Sequence, residues 1–109
     1  MELSVLERLV LLSILPREGT VTTVRIMREL RDALSFSEEE HARLAFRRTE
    51  DGGTQWEADG IGDVDVIIGP RAHTLICESL ERLNKEKKFK EDYLSVWEKF
   101  VVPKVEVEA

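Results

Sequence analysis

The residues that most restrict how this chain can fold are Phe46 to Gly69, FRRTEDGGTQWEADGIGDVDVIIG, the only stretch that reads as β-structure. It lies mid-chain between segments with helical periodicity, so any fold built on it must mix the two. Phe46 to Thr49 alternate weakly, Glu50-Asp51-Gly52-Gly53 is a turn sequence, and Thr54 to Ala58 centres on Trp56. That order predicts a hairpin. Asp59-Gly60-Ile61-Gly62-Asp63 is a second turn cluster, and Val64, Val66 and Ile68 then alternate with Asp65 and Ile67. The expectation is a small central antiparallel hairpin extended by a third strand into a meander. The same stretch carries an acidic block, Glu50, Asp51, Glu57, Asp59, Asp63 and Asp65, with no Lys or Arg among them.

The flanks predict five helices. Ser4 followed by Glu7 has the form of a capping box, so the first helix starts near Val5 and runs to about Leu15, where Pro16 stops it. Its apolar residues occupy more than one stripe, which marks either the central core helix, the default, or a helix that also self-associates through Val5, Leu9 and Leu12. The second helix, Thr23 to Leu34, carries Arg25, Arg28 and Arg31 as a drifting basic stripe. Glu29 and Asp32 follow Arg25 and Arg28 by four residues, so a self-paired solvated face is one reading and an anion site the other. Ser37 and Glu40 form a second capping-box pattern, opening a short helix from Glu38 to Ala45, with Phe36 tucked under the corner. Gly69-Pro70 opens a fourth helix through about Lys85, and a fifth spans about Glu91 to Val101, ended by Pro103. The fold class is therefore α+β in one domain: 1–45 helical, 46–69 a small antiparallel sheet, 70–102 helical and 103–109 a tail.

Composition narrows the chemistry. A chain of 109 residues with 42% apolar and 35% charged content supports one globular core, not a disordered polymer. Up to Arg48 acids and bases cancel and every base is arginine; the whole net charge of −6 lies beyond it, where most bases are lysine. That balance works against bulk attraction to nucleic acid or anionic membranes. The single cysteine, Cys77, excludes an internal disulfide and fits a reducing compartment. With no secretory signal and no uncharged run longer than Leu9 to Pro16, the chain reads as cytoplasmic, with no membrane association.

Catalytic signatures are lacking: no glycine-rich phosphate loop, nucleophile elbow or zinc-protease motif occurs. The reading is non-enzymatic, with no cofactor and no metal. His73 and Cys77 sit four apart on a helix, a spacing that can hold a metal, but no further ligand accompanies them, and a packed thiol beside a surface imidazole is the plainer account. Asp59, Asp63 and Asp65 among glycines lack the alternation and closing glutamate of a calcium loop, and turn chemistry explains them better. What remains is interaction. Trp56 between Gln55 and Glu57, within the acidic block, suits a basic protein surface, unless its ring packs inward across the sheet. The opposite-sign cluster Arg82, Lys85, Lys87, Lys88 and Lys90 could join subunits or form a solvated corner.

The order helix, helix, helix, hairpin in residues 5–58 resembles a winged helix. That resemblance implies that Glu38 to Ala45 would read the major groove, with Arg47 and Arg48 at the base of the wing. Glu38, Glu39, Glu40, Glu50 and Asp51 depart from the pattern by aiming carboxylates at phosphates, which disfavours nucleic acid as a partner. The run Leu6 to His41, LERLVLLSILPREGTVTTVRIMRELRDALSFSEEEH, with Val5 before it, is similar to small uncharacterised proteins of bacteriophages and prophages. It implies an accessory protein in an infected cell that binds a host protein, assembles with itself, or sequesters a defence factor or its signal. The leading expectation is a homo-oligomeric protein-binding module using Glu50, Asp51, Trp56, Glu57, Asp59, Asp63 and Asp65. The alternatives are nucleic-acid binding through Arg25, Arg28, Arg31, Arg47 and Arg48, and capture of a small anionic nucleotide signal by arginines at a subunit interface.

Overall fold

The computed structural model describes residues 1–57 and 61–108, with side chains through residue 103. The first helix, α1 (Val5–Ile14), starts at a closed capping box: Glu7 N–H donates to Ser4 Oγ at 3.2 Å and Ser4 N–H donates to Glu7 Oε1 at 2.9 Å. Extended backbone at Leu15, just before Pro16, ends it. The second, α2 (Val21–Leu34), is capped by Thr20, whose hydroxyl oxygen accepts from Thr23 N–H at 3.1 Å. A second closed box at Ser37 and Glu40 opens α3 (Glu38–Leu44), and Ala45, with φ of 48°, turns the chain out of it. The fourth helix, α4 (Pro70–Lys85), has proline at its tolerated start.

The last helix, α5 (Leu94–Glu108), follows a 3-10 turn at Glu91–Tyr93 and corrects the expectation of a tail from residue 103. Pro103 lies inside it. Proline withholds one N–H from the ladder, here the one that would reach the Lys99 carbonyl, yet helical backbone continues on both sides.

The chain is α+β, five helices with two small antiparallel sheets among the described residues. The hairpin forms as expected from β2 (Arg47–Arg48) and β3 (Thr54–Gln55), with Arg47 opposite Gln55 and Arg48 opposite Thr54. The third strand does not extend it into a meander. Instead β4 (Val64–Asp65) pairs with an N-terminal strand, β1 (Glu2–Leu3), placing Glu2 opposite Asp65 and Leu3 opposite Val64. Burial explains the choice. All four hairpin-strand residues are exposed, whereas Leu3 and neighbouring Val66 both enter the core, so an apolar strand removes more surface from water beside β1.

Fully buried Leu3, Leu11, Leu34, Ile76, Leu80 and Phe100 make the centre of that core. Helix α1 runs through it against α2, α4 and α5, so its broad apolar surface is used within the chain. Val5 is buried, Leu9 is half-buried, and half-buried Leu12 packs on the core; the three do not form an exposed apolar stripe for self-association. The helix-helix-helix-hairpin order is present, but α2 packs against α1 and α4. Among the described residues no helix is long and apolar enough to cross a membrane.

Candidate protein-interaction site

The hairpin is held by a corner that begins at Arg8. This guanidinium, 2% exposed on α1, donates from Nε to the Leu34 carbonyl at 3.1 Å and from a terminal nitrogen to the Ser35 carbonyl at 2.7 Å. Those are orphan acceptors at the end of α2. It also donates to both Glu40 oxygens, at 2.8 and 3.2 Å, and lies 3.9 Å from the centre of the Phe36 ring. Glu40 meanwhile closes the α3 capping box by accepting from Ser37 N–H at 2.9 Å. The Arg8 guanidinium, opposed by partial burial and helped by Ser37 N–H, holds the Glu40 carboxyl down at about 2. One buried cation thus fixes the α2–α3 angle, with Phe36 under the corner as expected.

From that corner an aromatic chain leads to the hairpin. Phe36 and His41 meet the Phe46 ring edge-on at centroid distances of 5.2 and 5.5 Å, and Phe46 meets Trp56 at 6.3 Å. Glu57 N–H donates to the Leu44 carbonyl at 2.8 Å, tying the outgoing strand to the end of α3. Trp56 is half-buried, neither fully inward nor free. It borders two open clefts. One, of about 440 Å³, is lined with Arg47, Thr54, Gln55 and Glu57; the other, of about 210 Å³, with Leu6, Ile61, Gly62 and Asp63 among its walls. The indole therefore stands between a cleft bearing Glu57 and a cleft bearing Asp63.

The remaining acids have mixed fates. Asp51 builds the hairpin tip: its carboxylate accepts from Gly53 N–H at 3.1 Å and from the Thr49 hydroxyl, and these bonds lower its pKa. Gly52, with φ of +84°, supplies the left-handed residue that this turn requires. Glu50 is exposed beside it. Asp65 is exposed and accepts from the Met1 amino group at 2.8 Å, and Glu57 lies 3.7 Å from Arg47. Asp59 lies outside the described residues. The sequence-predicted acidic site is therefore brought together around Trp56 only in part.

The arginines separate. Arg31 caps α1 by donating to the Pro16 carbonyl at 2.9 Å and the Leu15 carbonyl at 3.3 Å, so it serves the fold. Arg25 and Arg28 are exposed on α2, and the expected pairing with Glu29 and Asp32 does not occur among the described residues. Arg47 and Arg48 lie on the hairpin, Arg47 facing Glu57. Helix α3 presents exposed Glu38 and Glu39, the latter 2.9 Å from Arg43.

His73 and Cys77 do adjoin, Nδ1 to Sγ at 3.6 Å, but the thiol is fully buried and contacts the Phe100 carbonyl at 3.5 Å. Among the described residues no three His, Cys, Asp or Glu side chains are placed to share a metal ion. Arg82, Lys85, Lys87, Lys88 and Lys90 are all exposed, with Lys88 3.9 Å from Glu86.

From sequence Glu7 is placed only as a helix cap, and the burial of both Glu7 and Arg8 is missed. Besides Arg8, Glu7 is 4% exposed, its Oε1 receiving Lys99 Nζ at 2.7 Å and its Oε2 without a hydrogen-bond partner among the described residues. Burial raises the Glu7 carboxyl, but Lys99 and Ser4 N–H outweigh it and leave the pKa lowered. Their signal was in the sequence: Glu7 and Arg8 are the only charges in a helix apolar nearly all round, so burial had to pair them. Compared with known proteins, the chain matches no family model, no curated relative and no solved structure.

Proposed function

We propose that this chain is a non-enzymatic binding protein that acts through protein contacts, engaging a basic partner surface with the hairpin around Trp56 and associating with itself. The observation that carries this reading is the half-buried indole between two open clefts, one bearing Glu57 and the other Asp63. A large aromatic that is positioned by Phe46 but still accessible is the usual anchor of an interface, and flanking carboxylates favour a cationic counterpart. The likeness of Leu6 to His41 to small bacteriophage and prophage proteins suggests the setting: an accessory protein of an infected bacterial cytoplasm that binds or inhibits a host or defence factor.

Capture from bacterial lysate tests the reading when it compares the natural chain with Trp56→Ala and with Glu57→Gln/Asp63→Asn, each checked for folding by circular dichroism. A partner retained after nuclease treatment and lost with both variants supports it. Equal capture by the variants refutes it.

A second reading, nucleic-acid binding, is favoured by one observation: Arg25 and Arg28 are exposed and form no ion pair among the described residues. Exposed Glu38 and Glu39 on α3 oppose it. A gel shift that strengthens steeply as salt falls would establish it, and none at low salt removes it.

A further inference from the structure

We infer that the seam between α2 and α4 is a two-fold interface that takes a second copy of this chain. The inference rests on the proposed self-association and assigns it to a face other than α1. Two adjoining hollows, about 470 and 390 Å³, run along this seam and share Ile26 and Arg71 as lining residues. Their apolar lining comes from Ile26, Leu30 and Ala33 of α2 and from Ala72 and Leu75 of α4. The two most exposed large aliphatic side chains in the described structure lie at opposite ends. Ile67, 89% exposed, lines the first hollow, and Val21, 70% exposed, directly precedes Thr22 of the second. An apolar seam with a projecting aliphatic at each end marks an interaction surface.

The charge pattern selects the occupant. Arg71 and Glu78 both line the second hollow, both are exposed, and neither forms an ion pair among the described residues. Seven residues apart on one helix, they share a face and are separated by roughly 10 Å along its axis. Thr74 and Leu75 lie midway and line the same hollow. In an isologous contact residue i meets residue j and residue j meets residue i. A two-fold axis through Thr74 and Leu75, with the two α4 helices antiparallel, sets Arg71 against the partner's Glu78 and Glu78 against the partner's Arg71. The same rotation brings the Ile67 end of one seam to the Val21 end of the other. A partner of uniform charge meets repulsion at one of these two positions, whereas a second copy satisfies both.

Sedimentation velocity over a concentration series tests this with the natural chain, Arg71→Glu, Glu78→Arg and the double exchange, circular dichroism confirming that each is folded. The natural chain should dimerise by tens of micromolar. Each single reversal, which sets like charges face to face at both symmetric contacts, should weaken dimerisation by about tenfold or more, and the double exchange should restore it. Ile67→Lys should also weaken it. A natural chain that stays monomeric refutes self-association and this inference with it. A dimer indifferent to the single reversals leaves self-association standing and overturns the α2–α4 face, as does a double exchange that fails to recover.

Discussion

Arg8 sits where three separate demands meet: the open carbonyls at the end of α2, the carboxylate that caps α3, and the ring of Phe36. Removing its guanidinium strands all three at once and leaves Glu40 with the Ser37 N–H as its remaining donor among the described residues. Breaking a buried pair from one side is far more damaging than losing an exposed one. Arg8→Ala should therefore destabilise the fold by about 3 kcal/mol or more, read by urea denaturation; a loss below about 1 kcal/mol would place it with surface pairs. Glu40 sets a pH dependence. Its carboxyl, at about 2 in the fold against an ordinary 4.5, is depressed, so its stabilising contribution is present above the ordinary value and disappears as pH falls from about 4.5 towards 2. Glu7 is shifted in the same direction through Lys99. A Glu40→Gln variant, less stable at neutral pH, should show a shallower loss of stability across that acid range, measured by denaturation at successive pH values.

At the level of elements, the helices were legible because their ends are written in local chemistry. The Ser4–Glu7 and Ser37–Glu40 boxes both close as read, and Gly69-Pro70 does begin α4. The hairpin was legible from Asp51-Gly52-Gly53. The partner of the third strand was not, because pairing of Val64 with Leu3 spans most of the chain and depends on which side offers a core. The end of α5 is not legible for the opposite reason: local chemistry makes Pro103 a stop, yet one missing hydrogen bond does not end the helix. Pro103→Ala should consequently stabilise α5, raising the unfolding free energy by about 1–3 kcal/mol without loss of helical circular dichroism. A destabilised variant would mean that the proline serves a contact of its own. Of the candidate site, residue types were legible and positions were not. The acidity of residues 50 to 65 is plain, but that Asp51 builds a turn, Asp65 meets the amino terminus and Trp56 borders two clefts follows only from the fold.

Taken whole, the molecule leaves several open faces among its described residues, two of which combine an accessible large side chain with charged neighbours. One is the hairpin with Trp56, carried on the Arg8 corner and the aromatic chain from Phe36. The other is the α2–α4 seam, whose alternating charges suit a second copy. Helix α1 takes the core position that its broad apolar pattern favours, packed against α2, α4 and α5. The buried thiol is turned to a backbone carbonyl, and the account rests on the accessible indole and its two clefts. Its central claim is that Trp56 and its flanking carboxylates hold a protein. The most direct measurement is lysate capture, with and without nuclease, by the natural chain, Trp56→Ala and the neutralised Glu57→Gln/Asp63→Asn form. The account predicts a protein that remains bound after nuclease and is lost from both folded variants. Capture abolished by nuclease, or unchanged in the variants, would contradict it.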